Sequence, residues 1–65
     1  MNRRDIGKYV VLRRGTLMIS QKRLAELSGL SVHTLSNLET GKGNVTLDTL
    51  LKIAGILGLK VTIGV

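Results

Sequence analysis

Four side chains suited to hydrogen bonding or apolar contact fall on one side of a short predicted helix, residues 32–40. If Leu35 and Leu38 face a core, then the opposite side carries Val32, His33, Ser36 and Asn37. An asparagine can make two hydrogen bonds to adenine N6 and N7, and a serine hydroxyl can donate or accept. A valine can contact a thymine methyl group. These residue types could therefore make contacts to base edges in a DNA major groove.

A second group of residues suits phosphate oxygens. A predicted helix over residues 21–28 begins with Gln21, Lys22 and Arg23, and the free N–H groups of a helix start attract anions. Lys42 lies in the loop sequence GKGN, where glycines let the backbone approach a ligand closely. Thr34 either supports the fold or touches phosphate. The loop is not a nucleotide-binding loop, because no strand precedes it and the spacing is wrong.

The residue types argue against catalysis and bound cofactors. The chain has no cysteine and one histidine, too few ligands for a structural zinc site. His33 has no nucleophile or acid partner in a recognisable arrangement. We therefore expect no enzyme activity, no metal and no cofactor.

Charge and length narrow the partners. Ten Lys and Arg against four Asp and Glu give a net charge of +6, which suits DNA, RNA or an anionic membrane. Tyr9 is the only aromatic residue, so stacking on unpaired bases is disfavoured. No stretch has the ~18 apolar residues of a membrane span, and the start lacks a signal-peptide core. The absence of cysteine fits a reducing cytoplasm, and DNA binding would place the protein at the nucleoid.

The elements that must position these side chains form a helical hairpin. Leucines recur at helical spacing on both sides of a turn, at positions 24 and 27 and at 35 and 38. Gly29 can end the first helix and Ser31 can cap the second, while the small Ala25 allows close crossing. Together they predict a DNA-binding helix-turn-helix in an all-α domain.

Flanking helices complete the predicted domain, residues 5–58, after a flexible basic arm at residues 1–4. Asp5 is predicted to cap a first helix over residues 6–14. A fourth helix runs from the cap Thr46 to Leu57, with Gly58 ending it. Its predicted core stripe consists of Leu47, Leu50, Leu51, Ala54 and Leu57.

The last seven residues alternate apolar and polar side chains, which predicts a β-strand over residues 59–65. Because a single strand lacks a partner, we expect antiparallel pairing with the same tail of a second copy. A 65-residue chain buries only about 60% of its unfolded surface, which also favours a homodimer. The predicted interface comprises Ile53, Ile56, Leu59, Val61, Ile63 and Val65.

Residues 5–59 resemble the Xre/Cro family of prokaryotic and phage repressors. Arg14 stands seven residues before Gln21, and Ser20-Gln21 is similar to the family's Thr-Gln at the start of helix 2. Other positions in register are Leu24, Ala25, Gly29, Ser31, Thr34, Ser36, ETGK at 39–42 and LDTLLK at 47–52. Residues 57–63 are more similar to HipB-type antitoxins, in which a strand follows helix 4.

The resemblance implies an ion pair between Arg14 and Glu39. Independently, an unpaired carboxylate beside Leu35 and Leu38 would be costly, so a partner is expected there. The chain departs from the family at Met18, where a glycine is usual. We expect Gly15 to end the first helix early instead.

The predicted function is a sequence-specific DNA-binding repressor that reads an inverted-repeat operator as a homodimer. The resemblance suggests the autorepressing antitoxin of a toxin–antitoxin operon, with a HipA-like kinase as partner. One alternative is a stand-alone phage-type or housekeeping regulator. Another is a protein-interaction module that masks a partner enzyme, and an RNA binder is disfavoured by the lack of aromatic residues.

Overall fold

Four helices make up the domain in the computed structural model, which describes residues 2–62. They are α1 (Arg3–Thr16), α2 (Gln21–Ser28), α3 (Val32–Thr40) and α4 (Leu47–Leu57). Within the described residues there is no β-strand, and no helix is of a length and apolarity that would let it cross a bilayer.

The first helix is longer than predicted at both ends. Asn2, not Asp5, is its N-cap: the Asn2 side chain accepts from the Asp5 N–H at 2.9 Å, and the Asp5 carboxylate accepts from the Asn2 N–H. This reciprocal capping box draws Arg3 and Arg4 into the helix, so they do not form an arm. At the other end, Gly15 does not end the helix, which runs on to Thr16.

Met18 stands where a glycine is usual in the Xre/Cro family that the sequence resembles. It has a φ of 57°, the one positive value outside glycine among the described residues. Its N–H donates to Gly15 O, and the N–H of Ile19 donates to Arg14 O, each at 3.0 Å. Since these bonds satisfy the last carbonyls of α1, the helix closes in the usual way with methionine as the left-handed residue.

The other helices begin and end where the sequence predicts. The hydroxyls of Ser20, Ser31 and Thr46 each accept a backbone N–H three residues ahead. Beyond the helix ends, Gly29 and Gly58 have φ of 73° and 71°, values that favour glycine. The hairpin of α2 and α3 is therefore built by local signals.

The core assigns several apolar side chains differently from the prediction. Leu24, Leu35 and Leu38 are buried as expected, but Leu27 is 45% exposed. On α4 the prediction is confirmed for Ala54 and Leu57, which are buried. Ile53 is fully buried in place of Leu47 and Leu51, which are 55% and 47% exposed. The buried residues of the cluster are Val10, Leu24, Ala25, Leu35, Leu38, Ile53 and Leu57.

This exchange has a simple cause. Apolar residues occur on both sides of α4, so periodicity alone does not decide which side packs. The side with Ile53, Ala54 and Leu57 faces α1 and α2. Consequently the prediction of Ile53 as an interface residue is wrong, and Ile56 and Leu59 are partly buried against the same core.

The helices α1 and α3 pack at very close range. A Cβ added at Gly7 would lie 2.3 Å from the backbone oxygen of Glu39 and 2.6 Å from that of Leu38. Because only a hydrogen fits there, Gly7 sets the separation of the two helices. The sequence analysis did not identify this glycine.

The tail does not form the predicted strand in its described part. Leu59 donates its N–H to Ala54 O at 2.8 Å and completes the end of α4, and residues 60–62 carry no strand assignment. A strand needs a neighbouring strand to pair with, and residues 2–62 contain none. Ile63 and Val65, also predicted to lie in the strand and interface, fall outside the described residues.

Candidate nucleic-acid interface

The outer side of α3 carries the four side chains predicted to contact bases. Leu35 and Leu38 are buried on the inner side, at 0% and 3% exposure. Val32 is 45% exposed and His33 is exposed, while Ser36 and Asn37 are partly buried. The helix therefore presents Val32, His33, Ser36 and Asn37 together, away from the core.

Two of these side chains touch each other. Asn37 Nδ2 lies 3.4 Å from His33 Nε2, one helical turn away. An amide that donates one proton to the imidazole keeps its second proton and its carbonyl oxygen for a ligand. The pair thus offers a donor and an acceptor side by side, which is the pattern that an adenine edge requires.

The start of α2 carries two exposed cations. Ser20 caps the helix by accepting from the Arg23 N–H at 3.0 Å. Arg23 forms an exposed pair with Glu26 at 3.3 Å, an interaction worth little in water. Lys22 has no ion pair with any described residue, so its charge is available to an anion.

Glu39 binds side chains from two other helices. Arg14 donates through Nε to Oε2 at 2.8 Å and through Nη2 to Oε1 at 3.1 Å, so the expected ion pair is present. The third guanidinium nitrogen of Arg14, Nη1, donates to Ile19 O at 3.1 Å. The side chains of Arg14 and Glu39 are only 20% and 6% exposed, which makes the pair part of the interior.

Gln21 is the third member of this network. Its Nε2 donates to Glu39 Oε1 at 3.1 Å, so its side chain is directed at the protein. The place of Gln21 at the start of α2 predicts a phosphate contact instead. In the structure it ties the first residue of α2 to the end of α3.

The network is insensitive to pH through its cation. The hydrogen bond to Glu39 raises the pKa of Arg14, burial opposes the shift, and the attraction between the charges adds to it. A raised pKa contributes stability that is complete below the ordinary arginine value. It is lost as the pH rises from that value through the higher folded value, so Arg14 stays charged at neutral pH.

The remaining predicted phosphate residues occupy the two ends of α3. Thr34 donates its N–H to the Ser31 hydroxyl, which in turn donates to Thr34 Oγ1 at 2.9 Å, so Thr34 belongs to the cap. Lys42 is exposed in the loop beyond α3, and its own N–H donates to Asn37 O at 2.8 Å. This bond holds the loop backbone against the end of the helix.

Arg13 has a structural role that the sequence analysis missed. Its Nε donates to Leu57 O at 2.8 Å, across 44 residues of sequence, and so holds α1 to the end of α4. A cation near a helix C-terminus is favoured by the helix dipole. Arg13 and Arg14 are adjacent arginines, so the sequence does not indicate that one binds Leu57 O and the other binds Glu39.

Comparisons with known proteins agree with this arrangement. A helix-turn-helix family model matches residues 12–63. An uncharacterized HTH-type transcriptional regulator of Haemophilus influenzae is 39% identical over 56 residues, which make up 86% of this chain and 57% of the relative. The chain thus spans just over half the length of that protein.

A solved structure is similar over nearly the whole chain. The crystal structure of the restriction-modification controller protein C.AhdI from Aeromonas hydrophila superposes with a TM-score of 0.81 at 33% sequence identity. The match covers 88% of this chain and 86% of that protein. The arrangement of four helices is therefore shared with a protein of known structure.

Proposed function

Because the chain belongs to the Xre/Cro-type helix-turn-helix family, we propose that it binds double-stranded DNA by sequence and represses transcription. The observation that carries this proposal is the outer side of α3. Four side chains able to contact bases lie there, two of them exposed and two partly buried, while the inner side is fixed by buried leucines and by Glu39. Bases are contacted by Val32, His33, Ser36 and Asn37.

Phosphate contacts come from both ends of the hairpin. Lys22 and Arg23 at the start of α2 and Lys42 after α3 neutralise backbone charge on either side of the groove. The chain acts without catalysis and without a cofactor in this proposal. Its affinity for any duplex falls steeply with salt, and its preference among duplexes comes from α3.

We also propose that the protein binds its operator as a homodimer. Val61, 41% exposed, borders an apolar groove of about 380 Å³ between α1, α4 and the tail, lined also by Tyr9, Leu50 and Leu59. The same apolar side chains of a second copy would pack into this groove across a two-fold axis. Two copies of α3 would then lie about 34 Å apart on an inverted repeat.

Two kinds of operon are supported by different observations. The similarity of residues 57–63 to HipB-type antitoxins favours a toxin–antitoxin operon with a HipA-like kinase as partner. The similarity to a restriction-modification controller protein favours a regulator of that kind. Purification with a HipA-like kinase from the same operon would support the first, and a neighbouring endonuclease gene would support the second.

Substitution of Asn37 tests sequence recognition directly. From a randomised duplex library, the wild-type protein should select an inverted repeat. Asn37→Ala should then relax preference at one position of each half-site, at a cost of about 1–3 kcal/mol there. Binding of single-base operator variants, measured by fluorescence anisotropy, gives the position at which preference is relaxed and the free energy lost there.

The control is Asn44→Ala, in the loop after α3 and outside the four base-contacting positions. It should leave base preference unchanged. If Asn37→Ala retains wild-type preference at every position, Asn37 takes no part in recognition. If the wild-type protein selects no sequence at all, the proposed function is wrong.

A further inference from the structure

The start of α1 lies against the end of α3. A Cβ added at Gly41 would be 2.9 Å from Arg4 Cα and 3.0 Å from Arg4 N, so the two backbones are in contact. Asn2 and Asp5 cap α1 and fix its first turn at this place. Arg3 is therefore held beside the helix that carries the base-contacting side chains.

Arg3 and Lys42 line the same small cleft, which has a volume of about 70 Å³. Asn37 and Gly43 line it as well, on the α3 and loop sides. The cleft consequently joins a residue of the predicted recognition surface to two cations from separate parts of the chain. Asn37 is partly buried because it forms one wall.

The polar groups around this cleft favour an anion. Neither Arg3 nor Lys42 forms an ion pair with another residue in the described range, 2–62. The nearby carboxylate of Asp5 is engaged with the Asn2 N–H. Gly43 donates its N–H to no acceptor in that range, and nothing lies within 4 Å of the position a Cβ would take.

We propose that Arg3, Lys42 and the Gly43 N–H together bind one phosphate of the DNA backbone, next to the base that Asn37 contacts. The inference rests on the proposed function and adds α1 to the DNA-binding surface. Two cations and an amide donor match the charge and the acceptor oxygens of a phosphodiester. The capping box of Asn2 and Asp5 positions Arg3 for this contact.

Salt dependence measures the contact. Binding of the selected duplex by Arg3→Ala should show a smaller slope of log K against log salt. The double variant Arg3→Ala/Lys42→Ala, which removes both cations from that phosphate, should lower the slope by about 0.9. Arg3→Lys should restore most of the slope, because it returns a positive charge to the same position and the slope depends on that charge. Lys8→Ala is the matched control: it removes a cation of α1 that lies outside the cleft and should keep the wild-type slope.

The position of the phosphate is tested with duplexes that carry a single neutral methylphosphonate. In the wild-type complex, one substitution per half-site beside the Asn37-dependent base should weaken binding. Arg3→Ala and Lys42→Ala should each lose sensitivity to that same substitution and keep it elsewhere. Circular dichroism of each variant establishes that α1 is folded.

Two results would overturn the proposal while leaving the proposed function intact. Arg3→Ala could keep the wild-type salt slope and the wild-type sensitivity at every phosphate. Alternatively, Arg3 and Lys42 could prove sensitive to different phosphates, in which case they do not share a site. A wild-type protein that does not prefer any duplex would instead contradict the proposed function itself.

Discussion

Met18 adopts a backbone conformation that costs an L-residue about 1–2 kcal/mol. Its side chain is 91% exposed, so packing gives little in return. The family position is usually glycine, and here the turn after α1 is made with methionine at φ 57°. The local strain is tolerated because hydrogen bonds from Met18 and Ile19 close the helix.

We therefore expect Met18→Gly to stabilise the protein by about 0.5–1 kcal/mol, since relief of strain exceeds the added entropy of the unfolded chain. This gain would raise the melting temperature by about 2–8 °C for a domain of this size. Leu17→Gly, at a residue with φ −82°, should lower it. Thermal unfolding followed by circular dichroism gives both values, and equal shifts of one sign would contradict the account.

Sequence reasoning at this scale found pairs but not networks. The ion pair of Arg14 and Glu39 is confirmed: the family resemblance implies it, and a carboxylate next to leucines needs a partner. Gln21 was expected to contact phosphate, yet its amide donates a hydrogen bond to Glu39. A third partner could not be inferred, since which way the first residue of a helix directs its side chain depends on tertiary packing.

The close packing of helix α1 against helix α3 depends on a single glycine, Gly7. At Gly7 any side chain would meet the backbone of Leu38 and Glu39, which cannot rotate away. Separating the helices would also move Arg14 from Glu39, because Arg14 is on the same helix. Gly7 therefore controls the packing of the recognition helix on the domain.

Gly7→Ala should destabilise the protein by roughly 2–3 kcal/mol, the cost of overpacking a close contact. Gly15→Ala is the control, for it places the same methyl group in the same helix where nothing lies within 4 Å. It should stabilise by about 0.5–1 kcal/mol. Urea denaturation of the two variants compares them, and a Gly7→Ala protein as stable as wild type would show that the helices can separate freely.

Element boundaries were predictable where capping residues stand at the ends. Serine, threonine and glycine located α2, α3 and α4 correctly. The start of α1 was wrong because Asn2 and Asp5 are both good caps, and only their spacing of three identifies the capping box. On α4, Ala54 and Leu57 were correctly predicted to be buried. Leu47, Leu51 and Ile53 were not predicted correctly, because leucine and isoleucine occur on both sides of the helix.

For the whole molecule, self-association is the main open prediction. Of the residues first assigned to the interface, Ile53 belongs to the monomer core, and Val61 remains exposed beside the apolar groove. The interface is therefore expected at the groove and tail. A charged residue placed at its edge should separate the copies without disturbing the core.

Val61→Asp should weaken dimerisation by at least tenfold, as expected when a carboxylate enters an apolar contact. Val11→Asp is a matched control, since Val11 is 40% exposed against 41% for Val61 but does not line the groove. Sedimentation equilibrium over a range of concentrations gives both dissociation constants. A Val61→Asp dimer as tight as wild type would place the interface elsewhere.

The separation of the two sides of α3 has a consequence for how such a protein can change its target. Glu39, Leu35 and Leu38 hold the helix in the domain, whereas Val32, His33, Ser36 and Asn37 have no side-chain hydrogen bond to any other described helix. Under the proposed function, exchange of those four residues alone should change operator specificity with little penalty in folding. A library randomised at these positions is a compact starting point for engineering orthogonal DNA-binding domains on one scaffold.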